Sequence, residues 1–452
     1  FIYCPAHYLK QFNEKFADKD ALDKLVKKAR VHSWAALHNK MNSMYRNDNP
    51  KLPSLDPWIL KTKPPSDRFV FERNPYYYRV DATGQQLPYI DRVILSLADS
   101  KIIPAKTAAG ESDLQARYLN FGDYTFLRQS EERNHFNVRL WLTGPGSQLA
   151  LYPNLNVDDP VWRGLVRDLR FRRALSLAVN RHEINEVLYF GLAIEGQNTL
   201  LPKSPLYEPS LRSAWARYDL GEANRLLDVI GLTKRDGDGV RLLPDGRPME
   251  IVVEDSGEST EQSDVLELIR DSWRHLGIRL FAKPLQLTLF RRRVFSGETL
   301  MSIDKGIENG LASASSSPWQ FAPTSQQQLE WPKWGQYYET KGMAGEPPDL
   351  PSAVRLKELY GAWLGAVSRE AQTQAWRQIL QIWADEVFSI GTVAGVLQPV
   401  VVSDNLRNVP EKGIYTWEPG AFFGIYRPDH FWFGHPAPAA KSASAAMPPA
   451  HP

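Results

Sequence analysis

Cysteine is nearly absent. Cys4 stands alone in 452 residues, which excludes an internal disulfide and leaves the redox compartment undecided. No apolar run is long enough to cross a bilayer as a helix. A dominant charge sign is also missing. Lys and Arg total 54 against 52 Asp and Glu, a formal net charge of +2, so there is no broad field for nucleic acid or an anionic membrane. The nine histidines are scattered, with no pair at metal-ligand spacing. His182-Glu183 does not begin an HExxH motif, because Glu186 holds the place of the second histidine. Asp236-Gly237-Asp238-Gly239 opens like a calcium loop, but no glutamate stands at the twelfth position and a hairpin turn accounts for the glycines. GxSxG, P-loop and GxGxxG motifs are absent. No catalytic group, metal or cofactor is expected.

What is present is size and aromatic content. A chain of this length calls for two or three domains, and 43% hydrophobic with 23% charged residues is ordinary for a globular protein. Fourteen Trp, 18 Tyr and 19 Phe are a surplus that suits either stacking surfaces or core. The stretch Gln148 to Gly191 organises the rest. Leu149–Leu155 reads as a buried strand, Asp159-Pro160 as an N-cap with proline in the first turn, and Phe171, Ala174, Leu175 and Ala178 as one helix face. Asn180 with Glu183 has the layout of a capping box, and Gly191 stops the last helix.

Before it, residues 6–47 carry two helical patterns, the second running unbroken from Leu22 to Met41. Residues 48–67 hold five prolines and should be extended. A hairpin is expected from Phe69–Phe71, a turn at Asp81–Gly84, and a strand Ile90–Ala98, followed by a short helix within 99–115. After the central stretch, a helix at 221–230 precedes an Asp-Gly hairpin at 235–254, a helix at 260–276 and a strand Ile278–Phe281. This β–α–β order implies a crossover in a mixed sheet. Helices at 352–366 and 369–388 and a β-branched strand at 396–404 complete the reading.

Three stretches carry a resemblance. FRRALSLAVNRHEINEVLYFGLA (171–193), ERNPYYYRVDATGQQLPYIDRVILSLADS (72–100) and NVPEKGIYTWEPGAFFGIYRPDHFWF (408–433) resemble the family 5 solute-binding proteins of ABC importers, the oligopeptide- and dipeptide-type receptors. They stand far apart and in the family's order. The resemblance implies an α/β, two-lobed, periplasmic-binding-protein-like fold of type II, peptide-binding class, with mixed sheets flanked by helices. It begins inside the family's first lobe, so lobe one is expected to be incomplete. The implied division is 1–147 for partial lobe one, 148–395 for lobe two, and 396–433 for the return to lobe one. A disordered Pro/Ala-rich tail, 434–452, follows. The resemblance also implies a periplasmic location, although FIYCPAHYLKQFNEKF has no signal-peptide features.

Residues 298–345 are the least scaffold-like, with no sustained period and many aromatic and small polar residues. Aromatic walls with a few carboxylates suit a polar organic ligand carrying an amine. The candidate contacts are Asp304, Glu308, Asn309, Trp319, Trp331, Trp334 and Tyr337. In peptide-binding relatives a carboxylate in this region holds the ligand's amino group, and Asp304 and Glu308 are the nearest matches. The bland alternative packs these tryptophans on the lobe and leaves the carboxylates in solvent. The expected function is capture of an oligopeptide, or alternatively an oligosaccharide, and delivery to an ABC permease by a monomer. A carboxylate hydrolase would need two acids brought together, for which Asp304 and Glu308 are the local pair.

Overall fold

The computed structural model describes residues 4–44, 48–257 and 259–434; the expected tail beyond Gly434 lies outside them. Three sheets of three or more strands organise these residues. The first is antiparallel, in the order Trp58–Leu60, Arg68–Arg73, Arg92–Ser96. The hairpin follows the sequence reading, and the proline-rich segment adds a strand to it, with Trp58 opposite Arg73.

The second sheet has four strands, ordered Ile414–Tyr415, Phe136–Thr143, Leu397–Ser403, Leu114–Gln115. Its centre is a seven-position antiparallel pairing of Phe136–Thr143 with Leu397–Ser403. Trp141, Val400, Val402 and Tyr415 form the core on it. The third sheet is mixed and has five strands, ordered Ile390–Gly391, Ala150–Pro153, Met301–Asp304, Glu250–Asp255, Arg279–Pro284. Glu250–Asp255 and Arg279–Pro284 are parallel and joined by the helix Thr260–Arg274, the β–α–β order read from the sequence. This helix buries Val265, Leu266, Ile269 and Trp273 on its inner side, a spacing that presents one apolar stripe to the sheet.

The helices of the central stretch begin where their caps stand. Asp159 accepts from the Val161 and Trp162 amides at the start of Pro160–Arg167, and Asn180 from the Glu183 amide at the start of Arg181–Tyr189. The latter ends through two left-handed residues, Phe190 and Gly191. Elsewhere, local chemistry shortens the expected helices. The run from Leu22 to Met41 divides into Lys19–Lys28 and Trp34–Asn42, because Arg30 takes a left-handed conformation and Ser33 caps a new helix through its hydroxyl. Within 99–115 the α-helix covers only Ile103–Ala108.

The chain passes between the four- and five-stranded sheets twice, through 144–149 and through 392–396.

Candidate functional site

Residues following both larger sheets line one cleft of about 450 Å3. Its best-fixed wall is the turn after Met301–Asp304. Here Gly306 N–H donates to Ser147 O (2.9 Å), Gly146 N–H to Ile307 O (2.8 Å) and Gly310 N–H to Gly144 O (2.8 Å). The turn is thus zipped to the first crossing segment. Side chains complete the hold: Asn198 Oδ1 accepts from Ile307 N at 2.9 Å, and Tyr152 Oη donates to Lys305 O at 2.6 Å. A Cβ would clash at each of the four glycines of this zip, Gly144, Gly146, Gly306 and Gly310, most closely at two of them. A Cβ on Gly146 would collide with the Ile307 side chain and Thr199 O, and one on Gly306 with Asn198 Oδ1 and the Ser147 backbone.

The fixed turn presents two carboxylates to the cleft. Asp304 is exposed and accepts from Lys305 N at 2.8 Å. Glu308 is half-buried, and its amide donates to Gln320 Oε1 at 2.9 Å. Desolvation raises the Glu308 carboxyl above its usual range, with the charges of Glu418 and Asp304 adding and Lys305 opposing. The segment after Ile414–Tyr415 closes the other side, where Thr416 Oγ1 donates to Glu308 O at 3.2 Å. This side also brings Trp417, which is 47% exposed. Trp319, on the short turn Trp319–Phe321, is half-exposed and lines the cleft.

The cleft thus gathers Asp304, Glu308 and Trp319 from the residues singled out in the sequence. The others lie elsewhere. Asn309 Oδ1 accepts from Leu311 N at 3.2 Å, a turn contact outside the cleft lining. Trp331 and Trp334 have no exposed surface. They stack at 6.3 Å, and Trp331 packs edge-on to Trp383 and Phe388 inside the core of the five-stranded sheet. Apolar burial on the lobe, the bland alternative, describes this pair. Tyr337 lines a separate niche of about 160 Å3 with Tyr338, Lys341 and Lys357.

Sequence reasoning passed over Glu330, Tyr152, Trp417 and Gln398, all of which line the cleft. Trp417 sits in one of the three resembling stretches and was the accessible signal. Glu330 carried none, since one glutamate in a polar-aromatic stretch gives no hint of burial. It is 3% exposed, and desolvation pushes its carboxyl up to about 8. Behind the cleft, Glu261 accepts from Tyr189 Oη at 2.7 Å and from Gln148 Nε2 at 3.2 Å. Burial raises its carboxyl, and those two hydrogen bonds oppose the rise. No group of three or more His, Cys, Asp or Glu could hold a metal ion among the described residues. No described helix is long and apolar enough to cross a membrane.

Residues 6–328 match the sequence profile of the bacterial extracellular solute-binding proteins, family 5. The chain belongs to this family. It is a family of binding components rather than enzymes. The periplasmic α-galactoside-binding protein of Rhizobium meliloti is 23% identical over 439 residues, which are 90% of this chain and 56% of that protein. The chain thus spans little more than half the length of that relative. A solved oligopeptide-binding protein, OppA, is 31% identical with a TM-score of 0.60, over 96% of this chain and 70% of its own. The periplasmic binding protein MelB of Agrobacterium fabrum, solved with stachyose, is 20% identical with a TM-score of 0.72, over 95% of this chain and 62% of its own. That last likeness speaks to fold. With OppA it places the chain among the type II periplasmic binding proteins, a mixed α/β architecture.

Proposed function

We propose that this protein is the capture component of an ABC importer, holding a short oligopeptide in the cleft and passing it to a membrane permease. It would work as a monomer, and in the periplasm, the location that the family description and the name of the Rhizobium relative suggest. One lobe comprises 1–147 with 396–433, and the other 148–395. The crossings at 144–149 and 392–396 are the hinges about which they close. The ligand favours the closed form by touching both lobes, which shifts the population toward it.

The observation that carries the peptide reading is the crowding of Glu308 by Glu418 and Asp304, with Lys305 as the opposing cation. A half-buried carboxylate among like charges gains from an incoming ammonium group. Trp319 and Trp417 then offer flat contact to the rest of the ligand. A second reading, an oligosaccharide, is supported by the same two rings and by the names of the α-galactoside- and stachyose-binding relatives.

Thermal shift with penta-alanine, its N-acetylated form and stachyose separates the two. A ligand at a hundred times its dissociation constant stabilises the fold by about 2.7 kcal/mol. Stabilisation by the free peptide and not by the acetylated one supports the amine anchor. Equal shifts with both peptides sink that anchor, and a shift with stachyose alone replaces peptide by sugar.

A further inference from the structure

Glu330 is a polar side chain of the cleft that the surrounding protein leaves unserved. It is 3% exposed, yet among the described residues the one hydrogen bond to its carboxyl comes from its own backbone. No Lys or Arg pairs with it among the described residues, whereas buried Glu254 is paired with Lys283 and Arg293. The backbone around it is fixed, with Leu155 N–H donating to Glu330 O at 2.8 Å. Neighbouring Gln328 cannot turn to it. Its Oε1 accepts from the Thr324 and Ser325 amides, and its Nε2 donates to the carbonyls of Trp319, Gln320 and Ala322.

The titratable groups on the surrounding elements are few. Tyr152, on Ala150–Pro153, feels the charge of Glu330, and the Tyr152 hydroxyl proton is given to Lys305 O. Arg167, on Pro160–Arg167, donates to Leu155 O at 2.9 Å and pairs with Asp349 at 2.8 Å, and Lys333 pairs with Asp158 and Glu346. Asp304, Lys305 and Glu308 lie along the fixed turn, and Arg117 and Arg291 are exposed lining residues. A buried carboxyl without a cation or external donors is held in its neutral form. Its raised pKa, about 8, accords with that geometry. A neutral acid offers one O–H donor, and this one borders the cleft.

We propose that Glu330 is a specificity-determining anchor of the cleft, a neutral carboxylic acid that donates its proton to an uncharged oxygen of the ligand. The oxygen is a peptide carbonyl or a sugar hydroxyl. The proposal rests on the cleft being the ligand site and does not depend on which of the two ligand classes occupies it. It assigns the two acids opposite tasks: Glu308 attracts charge, and Glu330 selects against it.

The test is calorimetric titration of wild type and Glu330→Gln with penta-alanine and with stachyose, from about pH 7 to about pH 10. With the probe that binds, wild-type affinity is expected to fall at least about tenfold as the acid ionises. Glu330→Gln is expected to bind about three- to tenfold more weakly at neutral pH and to lose the part of the fall that belongs to the acid. With penta-alanine the fall left in the variant is that of the peptide's own amino group, which titrates at about 7.7–8.0. Affinity that rises with pH, with a proton released on binding, overturns the proposal, as does a wild-type profile identical to the variant's. If neither probe binds, the capture reading fails for those classes, and infrared difference spectra of the free protein decide the state of Glu330. A protonated-carboxyl stretch at neutral pH that vanishes in Glu330→Gln supports the neutral acid; no such band overturns it. Melting curves verify that the variant is folded.

Discussion

Trp319 and Trp331 belong to the same aromatic-rich stretch and have opposite surroundings. Trp319 is half-exposed beside Glu308's neighbour Gln320, at a cleft. Trp331 is fully buried, ringed by Trp334, Trp383 and Phe388. Residue type does not separate a ring that meets a ligand from a ring that fills a core. Position relative to the sheet does. The turn ending in Glu308 leaves the five-stranded sheet toward the crossing segment, and Trp319 follows it. Trp331 instead leads into the helix Pro332–Glu339, whose Trp334 and Gly335 are buried. One stretch therefore serves two purposes, and substitutions should divide along the same line.

The largest effect should come from the core. Trp331→Ala is expected to lower stability by about 3–5 kcal/mol, the range for emptying a well-packed aromatic site. Chemical denaturation reads it directly, and a loss under about 1 kcal/mol would mean the ring is not packed as described.

Next is the buried acid. The folded-state pKa of Glu330, about 8, lies above the ordinary glutamate value of about 4.3. Between those values the folded protein holds a proton that the unfolded chain has released, so stability falls as pH rises through this window and levels above it. Glu330→Gln removes that slope. Its stability relative to wild type should improve between about pH 5 and about pH 8, by on the order of 1–4 kcal/mol. A difference that stays constant across the window contradicts a raised pKa at this residue.

A smaller effect is expected at the zip that fixes the cleft turn. Gly306→Ala forces a methyl group against Asn198 Oδ1 and the Ser147 backbone, at an expected cost of about 1–3 kcal/mol. Ligand affinity should fall as well, because Lys305, Ile307 and Glu308 move with the turn. A variant that loses stability while binding normally would separate the turn from the site.

Much of the scaffold was legible because its signals are local. Asp159 and Asn180 announce their helices through caps, and Thr260–Arg274 through an apolar stripe between two short strands. The break at Arg30 and Ser33 was not legible, since the apolar spacing continues across it and only the backbone reveals the stop. The lining of the candidate cleft was half-legible. Asp304, Glu308 and Trp319 stood out by type and neighbourhood. Trp417 reaches the same cleft from a distant part of the chain, a meeting that depends on the long-range pairing of Phe136–Thr143 with Leu397–Ser403, whereas Glu330 lies within the singled-out stretch and is set apart by burial. Trp331, Trp334 and Tyr337 were grouped with the site by composition, which carries no information about facing.

The contrast between the two tryptophans also supplies the most direct test. Calorimetric titration of penta-alanine into wild type and Trp319→Ala, with melting curves of both, asks whether the half-buried cleft ring belongs to the binding surface. Trp319→Ala should stay within about 1 kcal/mol of wild-type stability, as a half-exposed ring does, and bind about tenfold more weakly. Unchanged affinity in a folded Trp319→Ala protein would contradict the assignment of this cleft as the place where ligand is held.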